Sequence, residues 1–214
     1  MVNFEGVIFD LDGTLVDSMH VWTQVDIDFL GKRGFDVPED YPYTILPMGY
    51  IEAADYTIQR FGLNEKRDDI IDEWKRMAIE AYTNDVKIKS GVKEYLDYLK
   101  EKGVKMAIAT ASDMNLVEPV LKSNGIYDYF QNITTAKEVR RGKGFPDIYD
   151  VAAHKMGIEP EKCIVFEDIL QGIKGAIAGN YTAIAVYDNA SDNDREEIKR
   201  LAYRYIADFR EMIN

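Results

Sequence analysis

Val7-Ile8-Phe9-Asp10-Leu11-Asp12-Gly13-Thr14 is an apolar run that stops in two carboxylates one residue apart, with a glycine and a threonine directly after. A continuous short apolar run bounded by turn residues reads as a strand buried on both faces. In an open α/β sheet, ligands sit at the carboxyl ends of the strands. This stretch therefore predicts a central strand with acid at its tip, and the rest of the chain is read by what it brings there.

The 214 residues allow one large domain or a core with an inserted subdomain. A net charge of -12 argues against nucleic acid and anionic membrane surfaces as partners, because phosphate contacts need a basic face. An anionic substrate would instead need local positive charge, from a metal and one or two Lys or Arg side chains. Cys163 is the single cysteine and excludes an intrachain disulfide. Within Cys163-Ile164-Val165-Phe166 it reads as a small buried apolar residue rather than a catalytic thiol. Met1-Val2-Asn3-Phe4-Glu5 has neither a basic region nor a long apolar stretch, so no signal peptide is expected. No segment approaches the roughly 20 apolar residues of a membrane helix, and a cytoplasmic location is the expectation.

After the first strand, the periodicity predicts helices over about 17–32, around Ile51 to Phe61, and around Ile70 to Ala81. Residues 35–49 carry Pro38, Pro42 and Pro47 and read as irregular connection. Residues 16–88 thus read as an all-helical inserted subdomain. From Ser90 onward strands and helices alternate. Strands are predicted at 104–110, 132–135, 163–166 and 182–187, with a weak edge strand near 203–207. That alternation implies βαβ units in a doubly wound parallel sheet. The expected organisation is an α/β core made of 1–15 and 89–214, interrupted by a helical cap over 16–88.

Four chemical features fall at or just beyond the carboxyl ends of these strands. They are Asp10 with Asp12, then Thr110, then Lys143 in the loop after the third strand, then Glu167 with Asp168. Several carboxylates without a His or Cys cluster suit Mg²⁺ rather than zinc. A carboxylate beside such a metal can attack phosphorus. A hydroxyl, backbone N–H groups and a lysine then stabilise the charge on the transferring group. Thr110, the turn at Gly13 and Lys143 supply these. A second acid two residues after the nucleophile can protonate the leaving oxygen and later activate water.

These residues carry a family resemblance. Asp10-Leu11-Asp12-Gly13-Thr14-Leu15-Val16-Asp17-Ser18 resembles the first motif of the haloacid dehalogenase-like (HAD) hydrolase superfamily. Thr110 resembles the second, Lys143 in Gly142-Lys143-Gly144-Phe145-Pro146-Asp147 the third, and Glu167-Asp168 before Ile169-Leu170-Gln171-Gly172 the fourth. With the helical insertion after motif one, the chain is similar to the subgroup holding β-phosphoglucomutase and phosphoglycolate phosphatase. The resemblance implies a Rossmann-like core, Asp10 as nucleophile and Asp12 as general acid/base. It implies Mg²⁺ held by Asp10, the Asp12 carbonyl, Asp168 and Glu167. It also implies phosphoryl oxygens held by Thr110, Lys143, the Gly13 turn and the Ala111 N–H.

The chain departs from the pattern at Gly144, where proline is usual. By alignment with β-phosphoglucomutase, Trp22 stands where that enzyme has a His, and Glu52 where its cap loop has an Arg that holds a second phosphate. An acid at Glu52 would repel that phosphate. The leading expectation is therefore a Mg²⁺-dependent phosphatase of a small sugar or polyol phosphate, with a phosphomutase as alternative. A phospho-aspartate signalling protein of the receiver type is a third reading, although a receiver's phosphorylated Asp ends a later strand. His20 could face the cleft, whereas His154 reads as a surface or structural residue. Ser18 reads as a brace, Arg140-Arg141 as either a solvated pair or an anion lure, and Trp74 as core. Met48 and Tyr50 read as substrate contacts or packing residues. No oligomeric state is indicated, and a monomer is compatible with everything above.

Overall fold

The computed structural model describes residues 4–45, 48 and 50–213. Leu46, Pro47 and Gly49 of the proline-bearing connection, and Met1-Val2-Asn3, lie outside them. The chain forms two compact units, Met1–Ser18 with Val86–Asn214, and Met19–Asp85.

The first unit is a six-stranded parallel sheet. Its strands are β1 (Gly6–Phe9), β2 (Lys105–Thr110), β3 (Asn132–Thr135), β4 (Cys163–Glu167), β5 (Thr182–Val186) and β6 (Arg204–Ile206), in the order β3-β2-β1-β4-β5-β6. All four residues of β1 are buried, as a central strand covered on both faces requires. Phe9 lies opposite Ile108 of β2 and Phe166 of β4. The strand order reverses between β1 and β4, the topological switch point at which open α/β sheets bind ligands.

Alternation along β1 splits the core in two. Ile8 faces Ala107, Ala109, Val165, Ala183 and Ala185, a floor of small side chains that admits α7 (Asp147–Met156) and α8 (Leu170–Ala178) close to the sheet. Phe9 faces the other way, into aromatic rings. It stacks on Phe166 at 5.1 Å and meets Tyr95 of α5 (Val92–Glu101) edge-on at 6.3 Å, with Phe209 at 6.1 Å. Such pairs contribute about 0.5–1.5 kcal/mol each beyond their burial. The remaining helices of this unit are α6 (Met114–Ser123) and α9 (Arg195–Leu201).

The second unit holds α1 (Val21–Gly31), α2 (Tyr41–Ile45), α3 (Tyr50–Phe61) and α4 (Arg67–Asn84). Trp74 is buried and meets Phe29 edge-on at 5.3 Å, so it is core. Arg33 lies over the Phe29 ring at 3.7 Å and binds Glu65 and Glu73 at 2.6 and 2.7 Å. Among the described residues, no helix of the chain is long and apolar enough to cross a membrane.

Two local expectations need correction. Residues 35–49 are not wholly irregular, since Tyr41–Ile45 forms a short helix. Proline is tolerated in a first helical turn, where its missing N–H has no partner to lose. Tyr41 anchors that turn, fully buried, with its hydroxyl 2.8 Å from Thr57 Oγ1. The first helix begins at Val21 rather than near Asp17. Val16 makes isolated bridges to Asp12 and Ile88, and the Asp17 N–H donates to Lys87 O at 2.9 Å. Residues 16–18 and 86–88 therefore pair as extended chain and belong to the sheet-bearing unit, where periodicity had read only helix.

Asp26, on the buried side of α1, has its carboxyl pushed up to about 6 by burial. The native chain keeps that proton up to about pH 6, whereas the unfolded chain releases it near pH 4. Stability is therefore lost as pH rises between the two values. Asp26→Asn is expected to stabilise the protein by roughly 1–3 kcal/mol at pH 8 and by much less at pH 4. Thermal melts at the two pH values check this, and an equal shift at both would contradict it.

Candidate active site

Asp10 follows β1 directly, and its N–H donates to Phe166 O at 2.9 Å, which ties it to the neighbouring strand β4. The residue is 4% exposed. Glu167 ends β4, and Asp168 comes next in the chain. Both are buried, and one ligand oxygen from each of Asp10, Glu167 and Asp168 falls within 4.8 Å of the others. The strand order puts these acids together, although more than 150 residues of chain separate them.

Lys143 enters from the loop before α7 and ion-pairs with Asp10 and, at 2.6 Å, with Glu167. The Tyr149 hydroxyl, in the first turn of α7, donates to the same Glu167 oxygen, Oε1, at 2.8 Å. Two donors thus hold Oε1. The second oxygen, Oε2, is buried with no partner, as is Oδ2 of Asp168. Thr14 Oγ1 lies 3.1 Å from Asp168 Oδ1 and 3.3 Å from Asp10 Oδ2.

Burial raises the Asp10 carboxyl well above the usual carboxylate range, with Glu167 adding to the rise and Lys143 opposing it. Burial and Glu167 push Asp168 up to about 7. Burial alone would lower the Lys143 ammonium, but Asp10 and Glu167 outweigh it and hold the proton on. Three acids against one lysine leave the cluster short of positive charge. Crowded buried carboxylates with two unpartnered oxygens, and no nitrogen or sulfur donor among them, fit a hard divalent cation such as Mg²⁺.

Asp12 stands apart from that cluster. Ser18 and Ser112 donate to its two carboxylate oxygens at 2.7 and 2.6 Å. Ser18 thus braces the Asp12 carboxylate, a partner that the expected role in bracing the hinge did not name. Thr110 ends β2 fully buried and engages the following loop, its Oγ1 accepting the Ser112 N–H at 3.0 Å. Ala111 lies between these two residues at the same strand end.

Close packing explains the glycines. Gly13 has φ +80°, and a Cβ there would overlap the Asp168 carboxylate. A Cβ on Gly172 would overlap Glu167, and one on Gly175 would overlap the Lys143 carbonyl. Helix α8 can therefore lie against both the fourth motif and the lysine loop only with glycine at these places.

Several residues are placed away from the acids. Arg141 pairs with Asp147 at 2.8 Å and lies over the Phe145 ring at 4.3 Å, while Arg140 is exposed. His154 is exposed on α7, and His20 is exposed in the turn just before α1. Trp22 and Tyr50 approach each other at 6.1 Å within the helical unit, both partly exposed.

Sequence reading missed Thr14, Ser112 and Tyr149. Thr14 was in the quoted stretch, but a threonine after glycine reads as turn composition. Ser112 carried no signal, because only the adjacency of β1 and β2 brings it to Asp12. Tyr149 lies on the buried face of α7, and its spacing carries no sign that its hydroxyl meets Glu167.

The model of a family described as haloacid dehalogenase-like hydrolase matches residues 7–186. Hexitol phosphatase B of Escherichia coli (strain K12) is 27% identical over 190 residues, covering 87% of this chain and 85% of that protein. Hexitol phosphatase A of the same strain is 30% identical over 184 residues, covering 85% and 82%. The crystal structure of a candidate β-phosphoglucomutase from Thermotoga maritima superposes with a TM-score of 0.86 at 23% identity, covering 99% of this chain and 97% of that one. That last likeness is one of fold.

Proposed function

Since this chain belongs to the haloacid dehalogenase-like hydrolase family, and is an enzyme of its phosphatase kind, we propose that it hydrolyses a sugar or polyol phosphate through a covalent phosphate on Asp10. The observation that carries this reading is the buried meeting of Asp10, Lys143, Glu167 and Asp168 at the β1/β4 switch point, with two acid oxygens left unpartnered. The hexitol phosphatases among its relatives support the polyol class.

In this reading an Asp10 oxygen attacks phosphorus in line with the ester oxygen, and the P–O bond to the leaving group breaks. Asp12, held by Ser18 and Ser112, gives the departing oxygen its proton. Lys143 and Thr110, with N–H groups of the Gly13 turn and Ala111, bind the equatorial oxygens as their charge grows. Asp12, now a base, takes a proton from water, which attacks the acyl phosphate and releases inorganic phosphate. Mg²⁺ held by Asp10, the Asp12 carbonyl, Glu167 and Asp168 would supply electrophilic charge to the phosphoryl oxygens and offset the crowded acids. The helical unit Met19–Asp85, inserted directly after the first motif, is assigned the role of a cap that selects the substrate.

A panel of phosphorylated metabolites with Mg²⁺, scored for inorganic phosphate and for isomers together, tests the proposal. Phosphate release from a hexitol or hexose phosphate, lost on adding a chelator, is the expected result. Isomer formation without net phosphate would favour the mutase reading instead. A long-lived phosphoenzyme formed from acetyl phosphate would favour signalling.

A further inference from the structure

Lys89 lies just past the return from the helical unit and is 15% exposed at its side chain. Its ammonium has three protons and meets three acceptors. These are the Gly13 carbonyl, the Tyr187 carbonyl at 2.7 Å and Asp188 Oδ2 at 2.7 Å. Its backbone N–H donates to Leu15 O at 2.9 Å. One residue thus holds the turn after β1 at two points and joins it to the loop after β5. Asp188 is buried, and its other oxygen accepts the Ala190 N–H at 2.9 Å, so the anchor is itself fixed.

The turn so held contains Asp12. Gly13 is the next residue, its N–H donates to Val16 O at 3.0 Å, and Asp12 bridges to Val16. The Asp168 carboxylate leaves no room beside the Gly13 α-carbon. The Gly13 carbonyl is therefore a lever on the placement of Asp12, and Lys89 holds it. We propose that Lys89, anchored by Asp188, is a positioning residue that sets the Asp12 turn for hydrolysis of the phosphoenzyme. The inference rests on the function proposed above.

Hydrolysis of p-nitrophenyl phosphate with Mg²⁺ tests it. p-Nitrophenolate leaves with little help from an acid, so a displaced Asp12 slows water attack more than phosphoenzyme formation. The double variant Lys89→Met/Asp188→Asn removes both charges of the pair together, and its melting temperature should stay near that of the native protein. Its kcat is expected to fall roughly 10–100-fold with KM falling in step, so that kcat/KM stays within about threefold of native. A burst of about one p-nitrophenolate per enzyme should precede the slow phase, as expected when a covalent intermediate accumulates. Asp188→Asn alone weakens the anchor but retains Lys89 on the Gly13 and Tyr187 carbonyls, so its kcat should fall less than that of the double variant.

Native turnover by the double variant overturns the proposal. So does an activity loss that only tracks loss of folded protein, or an Asp188→Asn defect as large as that of the double variant. A native protein that releases no p-nitrophenolate under any metal would instead defeat the phosphatase reading itself, so the two failures are separable.

Discussion

Asp10→Asn is expected to lower turnover by roughly 10⁴-fold or more, the scale of losing a nucleophile that acts within a unit of residues. The amide has the same shape and fits the same buried place, but it cannot form the acyl phosphate. It also removes one of three crowded carboxylates, so the fold should be as stable as the native one or more so. Burial and Glu167 are what raise the Asp10 carboxyl, and an amide does not carry that burden. A melting curve beside the rate therefore separates lost chemistry from lost structure. Asp12→Asn gives the contrast, since Asp12 stands outside the buried cluster, braced by Ser18 and Ser112. That variant should still form phosphoenzyme slowly and hydrolyse it poorly, seen as labelled protein that hydroxylamine discharges. Native activity in purified Asp10→Asn protein would remove Asp10 as the nucleophile.

Lys143→Met should damage both activity and fold. The lysine is the ion-pair partner of Asp10 and Glu167; both acids are buried, and the lysine side chain is mostly so. Removing one partner of a buried pair leaves uncompensated charge and costs about 3–5 kcal/mol. Loss of a cation on the transferring phosphoryl group lowers the rate by roughly 10²–10³-fold. The pH dependence has a definite sign. Asp10 and Asp168 are raised in the native state, and Lys143 is what holds them down. Without it both rise further, so the native state binds protons that the unfolded state lacks. Stability then falls as pH climbs from about 4 through the native value, near 7 for Asp168 before the change. The variant should melt closer to the native protein at pH 5 than at pH 8, and Mg²⁺ should recover part of the difference at pH 8. A defect independent of pH and of Mg²⁺ would show that the lysine does not balance these acids.

Much of this was legible in the residues because it depends on local rules. Val7-Ile8-Phe9 reads as a strand covered on both faces, which puts the carboxylates that follow at its tip. The strand position from Cys163 onward followed from a short apolar run between turn residues. Local rules failed where partners come from elsewhere. Val16 and Ile88 look like part of a helical segment, yet their bridge makes extended chain. Tyr41–Ile45 reads as a proline-rich loop, yet a buried tyrosine turns it into a helix. Periodicity reports which face of an element is apolar, not which element covers it.

The order of motifs along the chain, the spacing of Asp10 and Asp12, and the kinds of donor at the strand ends were set by sequence alone. They name a chemistry, because a carboxylate, a hydroxyl and a lysine each have fixed capacities wherever they stand. The order β3-β2-β1-β4-β5-β6 did what no spacing encodes. It laid β4 beside β1, so that Asp10, Glu167 and Asp168 share one buried volume and shift each other's protons. It carried Ser112 to Asp12, Tyr149 to Glu167 and Lys89 to the Gly13 carbonyl. Proton affinity and side-chain aim depend on distance and burial, and these exist only once strands far apart in the chain lie side by side.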